Sequence, residues 1–159
     1  MRGVIEMAFK VKVEGFDEGA TIPSRFTCDG GDLSPALQWV GEPSKTKSFA
    51  LIMDDPDAPG GTWNHWLVWD IPASIHSLPE GKGRASLGKS GTNDFGRLGY
   101  GGPCPPKRRG PHRYFFRLFA VDTPTLGVSE GAKRSALEKA LKTHTIAETA
   151  YMGRYERAG

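Results

Sequence analysis

SFALIMDDPDAPGGTWNHWLVWDI, Ser48 to Ile71, is the stretch whose reading decides the fold class. Ser48 to Met53 is a short apolar run of strand length, which reads as a central strand buried on both faces. The run ends in acidic residues, turns through Pro56, Pro59, Gly60 and Gly61, and re-enters a strand at Trp63. Proline presets φ and glycine permits positive φ, so the turn follows from backbone needs. Trp63 to Ile71 (WNHWLVWDI) is rich in aromatic and β-branched residues, and Arg113 to Asp122 (RYFFRLFAVD) repeats that composition. Upstream, Ala8 to Val13 alternates, with Phe9, Val11 and Val13 on one face and Lys10 and Lys12 on the other. Leu78 to Arg109 is packed with Gly, Pro, Ser and Lys and reads as loop. Only Ser129 to His144 looks helical, with Ser129 as cap, Glu130 in the first turn, and an apolar stripe of Ala136, Leu137, Ala140 and Leu141. A short strand is expected around Ala150 to Tyr155. Many strands, one helix and abundant turns predict a mainly β protein, a sandwich or barrel.

The chain has 159 residues and shows no internal repeat, low-complexity stretch or linker, so residues 1–159 read as a single domain. Hydrophobic residues at 38% and charged residues at 25% exclude a disordered or fibrous chain, and Gly 21 with Pro 12 lack the period of collagen. A net charge of +3 is too mild to argue for nucleic acid, and no such partner is expected. No apolar run reaches the ~18 to 20 residues of a membrane span, and MRGVIEMAFKVKVEG lacks the apolar stretch of a signal peptide. A cytoplasmic protein without an integral membrane segment is expected. The two cysteines, Cys28 and Cys104, form no CxxC pair, and an ordinary cytosol would keep them reduced. Gln38, Asn64 and Asn93 are the chain's only side-chain amides. Such scarcity is a thermophile habit, and hyperthermophile cytosols tolerate disulfides. A Cys28–Cys104 bridge and two inert thiols both stay open.

Two segments could carry chemistry. Within Asp54 to Trp66 the turn leaves Asp55, Asp57 and His65 as polar groups near strand ends. The plainer alternative has the aspartates capping the turn and His65 as a core histidine. Gly99 to Tyr114 (GYGGPCPPKRRGPHRY) is an irregular but restricted loop that can present backbone N–H groups to a ligand. It runs into a strand where His112 and Tyr114, two apart, share one face. Here the plainer alternative is a surface loop with solvated Lys107, Arg108 and Arg109. Two imidazoles, a tyrosine hydroxyl and backbone amides would suit an anion such as phosphate.

The chain resembles the phosphatidylethanolamine-binding protein family, also called the Raf kinase inhibitor protein family, in its compact bacterial and archaeal form. The resemblance rests on IPSRFTCDGGDLSPALQW (Ile22 to Trp39), DPDAPGGTWNHW (Asp55 to Trp66), GYGGPCPPKRRGPHRYFFRLFAVD (Gly99 to Asp122) and GRY near Tyr155. It implies a β-sandwich of two antiparallel sheets with a small anion pocket at one end. Residue by residue, it places the ligand-binding set on Asp55, His65, Gly102 (through a ligand-facing backbone), His112 and Tyr114, with Pro59 and Trp63 lining the mouth. Lys107, Arg108 and Arg109 stand where many relatives have glycine or a shorter stretch. The resemblance also places both cysteines near the same end of the sandwich.

The resemblance implies a non-enzymatic protein that binds a small phosphate or phospholipid headgroup, with a kinase or protease as a protein partner and no cofactor. Compact prokaryotic relatives suggest a homodimer, which the sequence leaves open, and an exposed aromatic such as Trp39 would suit an interface. The alternative is a hydrolase or phosphoryl-transfer enzyme using the two histidines as acid and base. Against it, there is no GxSxG elbow and no set of nucleophile, base and orienting residue. A metal held by two histidines and an aspartate is a third reading, though compact spacings such as HExxH are absent.

Overall fold

Every residue of the strand Ser48–Asp55 is buried, and the whole architecture is arranged around it. The computed structural model describes residues 8–81 and 87–158. Expectations that rest on residues 1–7 and on part of the Leu78 to Arg109 loop lie outside the described residues. Within them the strands are β1 (Lys10–Val13), β2 (Leu37–Val40), β3 (Ser48–Asp55), β4 (Trp63–Pro72), β5 (Ser77–Leu78), β6 (Lys89–Ser90), β7 (His112–Val121) and β8 (Thr145–Tyr155), with a single 3-10 turn at Ser24–Phe26 and one α-helix, α1 (Arg134–His144), directly before β8. They form two sheets, a small one ordered β1-β2-β5 and a large one ordered β6-β4-β3-β7-β8. All pairings between these strands are antiparallel. The chain is the mainly β sandwich expected from its strands. No described helix is long and apolar enough to cross a membrane.

Alternation along β3 explains its burial. Phe49, Leu51 and Met53 point into the main core, where they meet Val11, Val13, Leu37 and Trp39 of the small sheet. Ala50 and Ile52 point to the opposite face, where Leu137 and Leu141 of α1 cover them. A strand roofed on both sides reads as a continuous apolar run. Trp39 is one of the largest buried side chains, with its ring centroid 5.3 Å from that of Phe49. It belongs to the core and not to an exposed interface, as the position of β2 between β1 and β5 requires.

Two element boundaries differ from the expectation, each for a physical reason. The helix begins at Arg134, not near Ser129, because the preceding segment is tied to β6. The Gly131 N–H donates to the Ser90 carbonyl, and the Ser90 N–H donates to Glu130 Oε2. Glu130 therefore serves as a tether and not as a first-turn acid. The buried residues of α1 are Leu137 and Leu141 alone, and Ala136 is exposed. The last strand starts at Thr145, five residues earlier than expected. Its early outward positions (Ile146, Glu148 and Ala150) are exposed, so no apolar alternation marked them.

At the end of β3 the helix face carries a buried ion cluster. Asp54 accepts from Arg117 Nε at 3.0 Å and from Arg134 Nη1 at 2.6 Å, and Arg134 Nη1 also reaches Asn64 Oδ1 at 2.9 Å. The carboxylate is almost wholly sequestered, while both guanidinium groups keep some solvent contact. This hub fastens the first turn of α1 to β3, β4 and β7. Asp54→Ala should cost about 3 kcal/mol, because two partly buried cations lose their counter-charge. Urea unfolding reads this directly, and a loss below about 1 kcal/mol would show that the hub does not hold the helix.

Candidate functional site

Antiparallel pairing brings the C-terminal end of β3 and the N-terminal ends of β4 and β7 to one edge of the sandwich. Asp55, His65, His112 and Tyr114 therefore meet from three neighbouring strands. Alternation along β7 puts His112 and Tyr114 on the core side with Phe116 and Leu118, while Arg113 and Arg117 face the other way. Asp55, one residue beyond Asp54, turns to the same side as His112.

His65 reaches that side through an irregularity of the ladder. Met53 pairs with Trp66, but Asp54 pairs with Asn64, so His65 is the extra residue of a β-bulge. In a regular strand His65 would lie on the helix face with Leu67. The bulge instead sends Asn64 to Arg134 and aims His65 at Tyr114, with ring centroids 5.3 Å apart. Bulges commonly re-aim a side chain beside a binding site.

Together these residues enclose a cavity of about 200 Å³ lined also by Ala58, Pro59, Trp63, Phe95, Cys104, Pro105 and Pro106. His112 Nδ1 lies 2.7 Å from Asp55 Oδ2, and Asp55 Oδ1 accepts the Asp57 N–H at 2.8 Å. Both carboxylate oxygens accept a bond, and the one to Oδ2 fixes an Nδ1–H tautomer on His112. His65 Nδ1 lies 2.7 Å from the Gly101 carbonyl, which holds that proton on Nδ1. In both rings Nε2 is the nitrogen left over for a ligand. Burial depresses the pKa of His65, and this outweighs the backbone of Gly101 and the Asp55 charge, which favour protonation. At His65 desolvation is a larger force than the pull of the Asp55 carboxylate.

Tyr114 is fully buried, and its hydroxyl approaches the Asp55 carboxylate without making a hydrogen bond of ordinary geometry. Burial, reinforced by the nearby Asp55 charge, pushes its pKa up, so it stays a neutral O–H donor. A buried hydroxyl held only loosely by its acceptor is free to donate to a ligand that enters the cavity. At the mouth, Trp63 and Phe95 meet edge to face with centroids 5.5 Å apart. Each is 38% exposed, so both are available to whatever enters.

Gly102 occupies a different position from the other four. It does not line the cavity; its N–H donates to Asp32 Oδ1 at 2.8 Å. A Cβ there would run into the Phe26 carbonyl and the Asp32 carboxylate, so glycine permits the close approach of two loops. Its backbone still lies near enough to His65 to favour the charged ring. Asp57 also lies outside the cavity. A bidentate pair with Arg113, at 2.9 and 2.8 Å, holds its pKa down to about 2. Lys107, Arg108 and Arg109 are exposed just beyond Pro106. Phe95, Pro105 and Pro106 were not singled out from sequence. The prolines lay inside a quoted motif, whereas nothing local distinguishes Phe95. Among the described residues no three His, Cys, Asp or Glu side chains converge as a metal-ligand set. A larger groove of about 700 Å³ between α1 and β8 contains none of the candidate ligand-binding residues.

Cys28 and Cys104 are joined in a disulfide with Cα atoms 5.4 Å apart, and Cys104 contributes to the cavity wall.

The family model described as phosphatidylethanolamine-binding protein matches residues 12–156. The chain belongs to the phosphatidylethanolamine-binding protein family. It is 48% identical over 145 residues to a UPF0098 protein of Aquifex aeolicus, covering 89% of this chain and 85% of that one. A UPF0098 protein of Methanothermobacter thermautotrophicus is 46% identical over 151 residues, covering 92% and 98%. Among solved structures, Escherichia coli YbcL, described as a member of the mammalian PEBP family, superposes with a TM-score of 0.88 at 36% identity, covering 94% of this chain and 99% of that chain. A carboxypeptidase Y inhibitor, solved in complex with its cognate proteinase, has a TM-score of 0.59 at 18% identity, covering 94% of this chain and 84% of the inhibitor. That last likeness is one of fold alone.

Proposed function

We propose that the cavity binds a small phosphate-type anion, free or as the headgroup of a larger molecule, and does not turn it over. The observation that carries this reading is the convergence on one cavity of a buried tyrosine hydroxyl and two imidazoles whose Nδ1 atoms are already committed. An anion oxygen could accept from the hydroxyl and from a protonated Nε2 at once, in a cavity whose largely apolar walls strengthen both bonds. The family name supports a phospholipid headgroup as one source of that anion. The cavity's candidate nucleophiles favour binding over catalysis. Asp55 is bonded to His112 and to a backbone N–H, Tyr114 is held neutral, and Cys104 is oxidised in the bridge. A protein partner of the protease or kinase class is part of the same proposal, and the one motive for the protease class is that a neighbour sharing the fold is an inhibitor solved with its cognate proteinase.

The pH dependence follows from His65. Its first proton serves Gly101, so only a second proton, on Nε2, makes it a donor to an anion. Burial keeps the pKa of that second proton below the ordinary ~6.5, and anion binding must draw the proton in. Affinity should therefore fall as pH rises, by up to about tenfold per unit for one coupled proton. In the free protein the sign is opposite for stability. A depressed histidine contributes stability above its unfolded pKa, and this is lost as pH falls through the folded value. Sulfate, whose charge is constant near neutrality, is the suitable probe for calorimetry from mildly acidic to mildly basic pH. A flat affinity would remove charge from the mechanism.

A further inference from the structure

The two sulfurs of the bridge have unequal surroundings. Cys28 is exposed on the TCDGGD turn, whereas Cys104 is half-buried and lines the cavity. Arg157 donates from Nη1 to Cys104 Sγ at 3.5 Å, and its Nε is held by Asp29 Oδ1 at 3.2 Å. In thiol–disulfide exchange a thiolate attacks one sulfur and expels the other as a thiolate. The rate rises with access to the attacked sulfur and with the stability of the departing one. Access selects Cys28 as the target, and the adjacent guanidinium selects Cys104 as the leaving group.

We propose that this bridge is an exchange site for small-molecule thiols, which links the redox state of the surroundings to the shape of the ligand cavity. In the first step a thiolate bonds to Cys28 Sγ, the S–S bond breaks, and its electron pair leaves on Cys104 as a thiolate beside Arg157. A second thiolate then attacks the small-molecule sulfur of the mixed disulfide and releases Cys28 as a thiolate, with the two small thiols joined. The net change oxidises two thiols and reduces the bridge.

Exchange need not separate the loops. The Cys28 N–H still donates to the Pro103 carbonyl at 3.1 Å, Tyr100 Oη to the Phe26 carbonyl at 2.6 Å, and Gly102 N–H to Asp32. What is released is the short wall at Cys104, Pro105 and Pro106, all of which face the cavity. The effect on ligand affinity rests on the anion reading of that cavity; the exchange chemistry does not.

Native protein incubated with reduced glutathione, quenched with acid and mapped by mass spectrometry should carry the adduct on Cys28 with Cys104 free. Exchange should be several-fold slower in Arg157→Ala and recover in Arg157→Lys. An adduct mainly on Cys104, or no exchange until denaturant is added, would overturn the proposal. In the same samples sulfate should bind several-fold more weakly to the reduced protein than to the oxidised one. Equal affinity would refute the link to the cavity while the mapped adduct stands. Absence of sulfate binding in both forms would instead count against the anion reading.

Discussion

His65→Asn and His112→Asn should each weaken sulfate binding by about a hundredfold, roughly 3 kcal/mol, with little change in thermal stability. Asparagine is chosen because its amide nitrogen can stand where the imidazole Nδ1 stands. At position 112 it can still donate to Asp55, and at position 65 to the Gly101 carbonyl, which are the bonds that hold the scaffold. What disappears is Nε2, the nitrogen left for a ligand. Alanine at either position should lose as much affinity and also some stability, since a buried acceptor is left unpaired. The difference between the two substitutions separates the binding role from the structural one. Calorimetric titration checks it, and affinities within twofold of the parent would show that these imidazoles do not contact the anion.

The second large effect concerns the bridge. Replacing both Cys28 and Cys104 by serine opens a loop whose ends are 76 residues apart in sequence. In the chain-entropy account, closure of such a loop stabilises the folded state by about 4 kcal/mol. For a chain of this size that corresponds to a fall of about 8 to 16 °C in melting temperature. The double variant should nonetheless fold, because the core between the sheets contains neither cysteine. Differential scanning calorimetry measures the change, and a loss below about 1 kcal/mol would mean that the bridge constrains the unfolded chain far less than loop closure predicts.

Much of this architecture was legible in the sequence because its dominant strands carry unambiguous patterns. Ser48 to Met53 is apolar throughout because both of its faces are covered, and Phe9 to Val13 alternates because one face is wet. Less legible were elements whose shape depends on distant partners. Glu130 resembles a first-turn helix acid, but its bond to the Ser90 N–H decides where α1 starts. The early part of β8 lacks alternation because Ile146 and Glu148 face solvent on a strand held by β7. Trp39 looked available for an interface until β1, β5 and Phe49 enclosed it.

The site shows the same division. Asp55, His65, His112 and Tyr114 could be selected from the DPDAP, HW and HRY segments. Their convergence depends on a bulge at His65, which no local composition announces. Gly102 was also selected, but its N–H is spent on Asp32, a partner 70 residues away. Phe95 completes the mouth from a loop with no distinguishing residue type, placed there by the Asp94 N–H bond to the Asn64 carbonyl.

The chain holds four histidines, and they form a natural experiment. His65 and His112 line the cavity, whereas His76 and His144 sit outside it beside Glu42 and Asp122. Imidazole nitrogen–proton correlation spectra recorded while inorganic phosphate is added at fixed pH and ionic strength therefore test the central claim most directly. Saturable shifts at His65 and His112, with His76 and His144 unmoved, are the predicted result. Shifts of equal size at all four rings, or none that saturate at His65 and His112, would contradict an anion site built from this cavity.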